Sequence, residues 1–356
     1  MSLATSAFAR PLRAPLRTAR GELRLRRGFV VRITDAEGHV GLGEAAPLEP
    51  WTEDLKRCAA ALEDAAGVLA GPVGEAQRAL DKLDVHVRAL QHCRAARHGL
   101  ALALLDLAAQ QRGMPLGAYL AGQFLDGAPP ADRVEVNALL GTADPKAAAA
   151  EAAELLARGY RSFKLKLAGP RDADLERVAA ARSAIGHAEL RLDANGAWDR
   201  AEAAGRLREL AAFAPAFVEQ PVPATDVEGL ADLRRMSLVP IAADEAAATP
   251  AAAERVLAAG AADVLIVKPM ALGGPDRAVE VLAAAQRAGV PCVVTSLLDG
   301  PIARAGALHV AACAPPPRRA CGLGTIALFG GMKDDVRDGS LAVPRGRGLG
   351  LGGTRG

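Results

Sequence analysis

The stretch SFKLKLAGPRDADLERVAAARSAIGHAELRLDAN, residues 162–195, decides the fold. It opens on a short apolar run, SFKLKLA (162–168), interrupted by Lys164 and Lys166. It continues through an Ala-rich segment of helical period, 172–185, and closes on a second short run, ELRLDAN (189–195). Strand, helix, strand with short loops is the βαβ pattern of a parallel sheet. The texture extends both ways from this unit. Strand-like runs recur at VEVNALL (134–140), AFVEQP (216–221), VPIAADE (239–245), DVLIVKP (263–269), PCVVTS (291–296) and CGLGT (321–325). Helical segments fall between them, at 145–158, 200–213, 226–235, 250–259, 274–288 and 301–313. About eight strands in roughly 190 residues suit a closed (β/α) barrel. An open doubly wound sheet is the competing architecture. Against it, no GxGxxG follows an early strand and no GxxxxGK[ST] occurs.

Charged residues punctuate these strands at a regular interval. Lys166 to Asp193 is 27 residues, Asp193 to Glu219 is 26, Glu219 to Asp244 is 25, and Asp244 to Lys268 is 24. One βα unit is about that long, so the five fall at equivalent heights on successive strands, near their C-terminal ends. In barrel enzymes that face carries the active site. Each charge follows a run that should be buried, where it is costly unless paired or bound to metal. Asp193, Glu219 and Asp244 are hard oxygen donors converging on one place. That describes a divalent cation site, most simply Mg²⁺, with Mn²⁺ the alternative.

The flanking charges are lysines. Only seven lysines occur among 43 basic residues, yet Lys164, Lys166 and Lys268 all lie in these strands. Arginine does not give up its proton in a protein, whereas a desolvated lysine beside other cations does. Lys164 shares the strand parity of Lys166, so both point into the barrel. Lys164 is expected to depress the pKa of Lys166 and make it a usable base. Asn195 and Arg191 share the inward parity of Asp193. Asn195 is a candidate support for the metal or its water. Arg191, set deeper, is a candidate counter-ion or substrate group.

Composition bounds the rest. The chain has 356 residues, is 51% hydrophobic and 24% charged, and carries a net charge of +2. It can bury a large core, and nothing in its charge calls for nucleic acid or an anionic membrane as partner. No window is apolar enough for a membrane span. The five cysteines are scattered without a CxxC pair, which excludes a disulfide scaffold and a structural zinc site. Residues 1–20 hold four arginines and no acid, as transit peptides do. Alanine and arginine are abundant throughout, however, and GFVVRI (28–33) already has strand character, so a cytoplasmic protein is expected. Residues 22–34 and 39–45 alternate about a turn at Asp35–Gly38, which is a hairpin signal. Helical periodicity follows at 52–70, 74–92 and 96–112, and Asp126 to Asp132 is a domain boundary candidate.

The motifs KLK, DAN, VEQP, ADE and VKP together resemble the muconate-lactonizing subgroup of the enolase superfamily. The resemblance covers nearly the whole chain. It implies an α/β fold, a modified (β/α)7β TIM-like barrel over 131–325, with an α+β capping domain over 1–130 joined by 326–356. It implies Asp193, Glu219 and Asp244 as Mg²⁺ ligands and Lys166 and Lys268 as opposed catalytic lysines. The family's chemistry removes the α-proton of a small-molecule carboxylate and stabilises the enediolate with the metal. Several stretches, TARGELRLRRGFVVRI (18–33), GLGEAAPLEPWTEDL (41–55), RHGLALALLDLAAQQRGMPL (97–116), DGPIARAGALHVAA (299–312) and CGLGT, resemble the o-succinylbenzoate synthases of menaquinone biosynthesis. These dehydrate 2-succinyl-6-hydroxy-2,4-cyclohexadiene-1-carboxylate. Dipeptide epimerases share part of that pattern but carry a DxD motif where this chain reads Thr295-Ser296-Leu297-Leu298-Asp299-Gly300. An N-succinylamino acid racemase or dipeptide epimerase is the alternative on the same scaffold. A muconate cycloisomerase and a non-catalytic carboxylate-binding barrel are further alternatives.

Residues 17–27 and the turn from Glu44 to Trp51 are candidate lid segments. Ser296 and Gly300, with the helix that follows, are expected to offer hydrogen bonds to a substrate carboxylate, and Gly322 to do likewise. A homo-oligomer is compatible with the sequence.

Overall fold

The computed structural model describes residues 1–18, 21–69, 76–125, 128–167 and 169–351. Parts of the expected loop at 17–27, the helix at 74–92 and the boundary at 126–132 lie outside them, as does the Gly-rich end after 351.

The chain opens with an antiparallel sheet in the order β1 (Ser2–Thr18), β2 (Gly21–Thr34), β3 (Val40–Ala45). The hairpin of β2 and β3 follows from alternation about the Asp35 turn. Strand β1 was not legible: its alternation is diluted by Ala, Pro and Arg, and it forms by pairing with β2 over nearly its full length. Helices α1 (Leu55–Leu69), α2 (Ala76–His86), α3 (Arg94–Gln111) and α4 (Leu116–Phe124) complete the cap. Helix α3 lies against β3 because Gly43 and Gly99 meet there. A Cβ on Gly43 would stand 1.9 Å from the Gly99 carbonyl oxygen.

The barrel follows. Strand β4 (Arg133–Glu135) precedes seven parallel strands: β5 (Ala138–Leu140), β6 (Ser162–Lys166), β7 (Glu189–Asp193), β8 (Phe217–Glu219), β9 (Ile241–Ala243), β10 (Val264–Val267) and β11 (Cys292–Val294). Their order in the sheet is their order in the sequence. Between them run α5 (Pro145–Ala157), α6 (Arg171–Ile185), α7 (Arg200–Leu210), α8 (Val227–Arg235), α9 (Pro250–Ala258), the single turn α10 (Pro269–Leu272), and α11 (Pro275–Arg287). Helix α12 (Pro301–Ala312) comes after β11. Asp144, Asp199, Asp226 and Thr249 cap α5, α7, α8 and α9 by accepting a backbone N–H with the side chain.

The run 134–140, expected as one strand, is divided between two partners. β4 pairs antiparallel with β12 (Ser340–Ala342), while Val136 bridges Cys321 and β5 joins β6. Backbone donors alternate sides along a strand, so one run serves both. The stretch CGLGT closes the barrel with only two residues. Cys321 N–H donates to Glu135 O at 2.7 Å, and Gly322 N–H to Val294 O at 2.9 Å.

The two faces of the barrel sheet pack separately. Phe163, Leu165, Leu192, Val218, Leu265 and Val267 face the helices and join one core with cap residues such as Val31 and Leu102. Phe217, Ala242, Val264, Ile266 and Val293 form a second, interior cluster. Strand alternation gives these interior positions the parity of Glu219, Asp244, Lys268 and Thr295. An apolar layer therefore lies beneath the charged residues.

Candidate active site

The five evenly spaced charges stand where the interval places them, at the C-terminal ends of consecutive strands. Register pairs Lys164 with Arg191, Lys166 with Asp193, and Asp193 with Glu219. Asp193, Glu219 and Asp244 are each no more than 2% exposed. The strands carrying them lie between the strands of Lys166 and Lys268, which therefore bracket the acids from opposite sides.

Lys164 is the inner cation of this group. Its Nζ donates to both oxygens of Glu219 at 2.7 Å and lies 2.9 Å from Asp193 Oδ2. Burial works against that charge, but Asp193, Glu219 and Asp244 outweigh it and hold the Lys164 pKa above the ordinary lysine range. Burial pushes Glu219 up to about 8, with Asp193 adding to the rise and Lys164 opposing it. Burial acts on Asp193 too, yet Lys164 and Lys166 overcome it and keep this carboxyl below its usual range. Asp244 is raised by burial against the pull of Lys268. Lys164, expected to act on Lys166 beside it, thus has carboxylate partners of its own.

The two outer lysines differ. Lys166 is exposed at the barrel mouth, and its Nζ donates to the neutral amide oxygen of Asn195 at 3.3 Å. The Asn195 amide in turn donates to Glu245 Oε1 at 3.2 Å, and its backbone N–H to Asp193 Oδ1 at 3.0 Å. Lys268 is enclosed. Its Nζ donates to Asp244 Oδ2 at 2.5 Å and stands 3.6 Å from the centroid of the Trp51 ring.

These donors fit a divalent cation. All are carboxylate oxygens, Asp244 Oδ1 is buried without a hydrogen bond, and three acids in one apolar setting repel one another. Asp193, Glu219 and Asp244 would hold the ion. Among the described residues, the acid and histidine ligand atoms found within 4.8 Å of one another are instead those of Asp35, Glu37 and His39, on the cap hairpin turn. There Asp35 is already used by the backbone N–H groups of Glu37 and His39.

Three expected substrate contacts, and Arg191, a candidate counter-ion or substrate group, are bonded to the protein itself. Arg191 is 1% exposed, donates to Ala320 O at 2.7 Å and to Glu189 Oε2 at 3.0 Å, and lies over the Phe217 ring. It is an internal brace. The Gly300 N–H donates to Glu44 Oε1 at 2.6 Å, so the start of α12 receives a carboxylate from the cap and not one from a ligand. Gly322 belongs to the barrel seam, where its N–H is bonded to Val294 and a Cβ would stand 2.3 Å from Thr295 Oγ1. The Ser296 hydroxyl lies 2.9 Å from that of Thr325.

Three contributors escaped sequence reasoning. Gln220, buried at a φ of 42°, accepts the N–H groups of Asp244 and Ala246 and fixes the turn after β9. Its place in VEQP was the available signal. Glu245 steadies Asn195, and its position next to Asp244 was the only hint. Trp51 had no signal beyond lying in an expected lid. That lid is pinned: Arg26 donates to Ala46 O and Pro47 O at 2.7 and 2.8 Å, and Glu53 accepts the N–H groups of Ala95 and Ala96. The turn is a fixed wall of the site.

Comparison with known proteins gives the same picture. Residues 2–121 match the mandelate racemase / muconate lactonizing enzyme N-terminal domain, and residues 147–353 match the enolase C-terminal domain-like family. Muconate cycloisomerase 1 of Rhodococcus opacus is 32% identical over 99% of this chain and 95% of its own length. The o-succinylbenzoate synthase of Mycobacterium tuberculosis H37Rv is 41% identical over 60% of this chain and 65% of its own. The dipeptide epimerase of Enterococcus faecalis V583, solved with Mg and L-Leu-L-Tyr, superposes with a TM-score of 0.88 at 26% identity, covering 98% of both chains. Two family models spanning cap and barrel, on a closed barrel with its acids and lysines in order, make this chain a member of the enolase superfamily.

Proposed function

We propose that the chain is an o-succinylbenzoate synthase, which dehydrates 2-succinyl-6-hydroxy-2,4-cyclohexadiene-1-carboxylate to 2-succinylbenzoate in menaquinone biosynthesis. The observation that carries this reading is the inequality of the two lysines. Lys166 faces the mouth with its hydrogen bond on a neutral amide and the Asp193 carboxylate acting on it through space, whereas Lys268 is held between Asp244 and the Trp51 ring. One open base and one enclosed cation suit an elimination in which both leaving groups depart on one side. A racemase needs two groups able to exchange a proton from opposite faces.

In this reading Lys166 removes the proton α to the substrate carboxylate, and the C–H electrons move into the carboxylate as an enediolate. The resulting Lys166 ammonium then donates that proton to the departing hydroxyl. The C–O bond breaks, water leaves, and the ring becomes aromatic. Lys268 supports the developing negative charge with its own positive charge. A Mg²⁺ bound at Asp193, Glu219 and Asp244 supplies further charge stabilisation at the substrate carboxylate. Asn195 orients Lys166, and the apolar layer beneath excludes water.

An epimerase acting on dipeptides is the second reading, supported by the likeness to the Enterococcus faecalis enzyme. Against it, Asp299, the single acid of the turn after β11, is 1% exposed and buried beside Arg26 and Glu44. It is not presented to a substrate ammonium. The deciding experiment is turnover of freshly prepared cyclohexadiene substrate with Mg²⁺, followed by absorbance, with Lys166→Ala as the blank. Turnover abolished by the substitution and by EDTA supports the synthase. No turnover, with racemisation of N-succinylamino acids or dipeptides, overturns the assignment and keeps the site.

A further inference from the structure

The cap reaches Lys268 with a side chain of unusual character. Trp51 is one of only two tryptophans in the chain, and its ring lies 3.6 Å from the Lys268 ammonium. An indole face attracts a cation electrostatically, and the attraction strengthens where water is excluded. The Asp244 carboxylate holds the same ammonium at 2.5 Å. Lys268 is therefore gripped by barrel and cap together.

The grip is built from one helix. Arg94 of α3 donates to the Trp51 carbonyl. One turn on, Arg97 donates to Gly273 O at 2.7 Å and to Asp276 Oδ2 at 2.8 Å, and also to Asp84 of α2. Gly273 ends the turn that begins immediately after Lys268. Helix α3 thus holds both the loop that carries the ring and the turn that carries the lysine.

We infer that Trp51 is a positioning residue for Lys268, set by α3 so that its indole face fixes the ammonium where it acts. The inference rests on Lys268 being one of the two reactive lysines, whichever substrate is turned over. Removing the ring releases the lysine tip from one of its two partners, and small misplacement of a reacting group is expensive.

Two measurements test it. With Trp198→Phe, Trp51 is the sole tryptophan. Lys268→Met in that background is expected to change Trp51 emission, because the cation leaves the ring face. Superimposable spectra would show that the contact does not exist in solution. The second measurement is kinetic, on whichever of the cyclohexadiene or N-succinylamino acid substrates the wild type converts. Trp51→Leu is expected to lower kcat by about 10- to 100-fold with KM within about 3-fold, while Trp51→Phe stays within about 5-fold of wild type. Trp51→Met replaces Trp51→Leu if the latter does not fold. Equal kinetics for the aromatic and aliphatic variants overturn the proposal. Failure of the wild type on the cyclohexadiene alone overturns the synthase reading and leaves this test standing.

Discussion

The ammonium of Lys164 lies 2.7 Å from each carboxylate oxygen of Glu219, so the acid cluster carries a cation of its own. That ammonium offsets part of the repulsion among Asp193, Glu219 and Asp244 but leaves Asp244 Oδ1 without a partner. Mg²⁺ should therefore bind and stabilise the fold. At 100 times its Kd the linkage is about 2.7 kcal/mol, or about 4 °C in Tm for a chain of 356 residues. Asp193→Asn should shrink that shift. Lys164→Met should melt lower in EDTA and gain more from Mg²⁺ than the wild type. Scanning calorimetry with and without the metal checks both, and a Tm indifferent to Mg²⁺ would remove the metal from the barrel.

Asn195 joins Lys166 to Glu245 from a backbone φ of 48°. Asn195→Ala and Asn195→Gly both delete the amide, but only glycine adopts that φ without strain. Both should lose about 10-fold in kcat. Urea unfolding should show the alanine variant less stable, by about 1 kcal/mol. A kcat that tracks stability instead of the amide would make Asn195 a turn residue only.

Glu44 fastens the cap to the start of α12. Its carboxylate is fully buried, takes the Gly300 N–H at 2.6 Å and lies 3.4 Å from Arg10. Glu44→Ala should cost about 2–4 kcal/mol, since it leaves a buried donor and a largely buried guanidinium unpaired. Glu44→Gln keeps an acceptor for Gly300 and should cost less, about 1–2 kcal/mol. Equal losses in chemical denaturation would show that the hydrogen bond to Gly300 contributes nothing.

Two buried histidines give a contribution to stability that acid removes. Burial lowers His98 and His309 from 6.5 to about 4. His98 donates from Nδ1 to Glu44 O, and His309 accepts the Gly117 N–H at Nδ1. Between pH 6.5 and 4 the unfolded chain binds protons that the folded chain does not. The histidine part of the stability therefore falls as pH falls, by about 1.4 kcal/mol per pH unit for each, and is intact above 6.5, while Glu219 and Asp299, raised to about 8 and about 7, act in the opposite sense over the same range. Denaturation of wild type and His98→Gln at pH 7, 6 and 5 isolates the histidine part. His98→Gln should halve the histidine contribution to the slope, and an unchanged slope would sink this account.

Much of the barrel and the site was legible because both are periodic. Lys166, Asp193, Glu219, Asp244 and Lys268 announce themselves by falling one βα unit apart, and parity aims them inward. What was not legible depends on pairs remote in the chain. Gly300 and Gly322 look like open backbone until Glu44, 256 residues away, and Val294 are seen to fill them. Arg191 reads equally as a counter-ion or a substrate group until Ala320 and Glu189 are seen to take its donors, which fits the first. Strand β1 has little pattern of its own and exists through its partner. Local pattern reports which way a side chain points, but whether its hydrogen bonds remain free for a ligand is settled by tertiary neighbours.

Helix α3 reaches both Trp51 and the turn after Lys268 through Arg94 and Arg97, and this limits how the two halves of the molecule can be recombined. A hybrid carrying a relative's first 121 residues on this barrel inherits a foreign α3 against Asp276 and Gly273. Without an arginine at the place of Arg97, Asp276 loses its bidentate partner and the lysine turn loses its brace. Cap and barrel are thus interchangeable only as a matched set. New substrate preferences are more readily reached by changing loop residues within one cap than by trading caps between relatives.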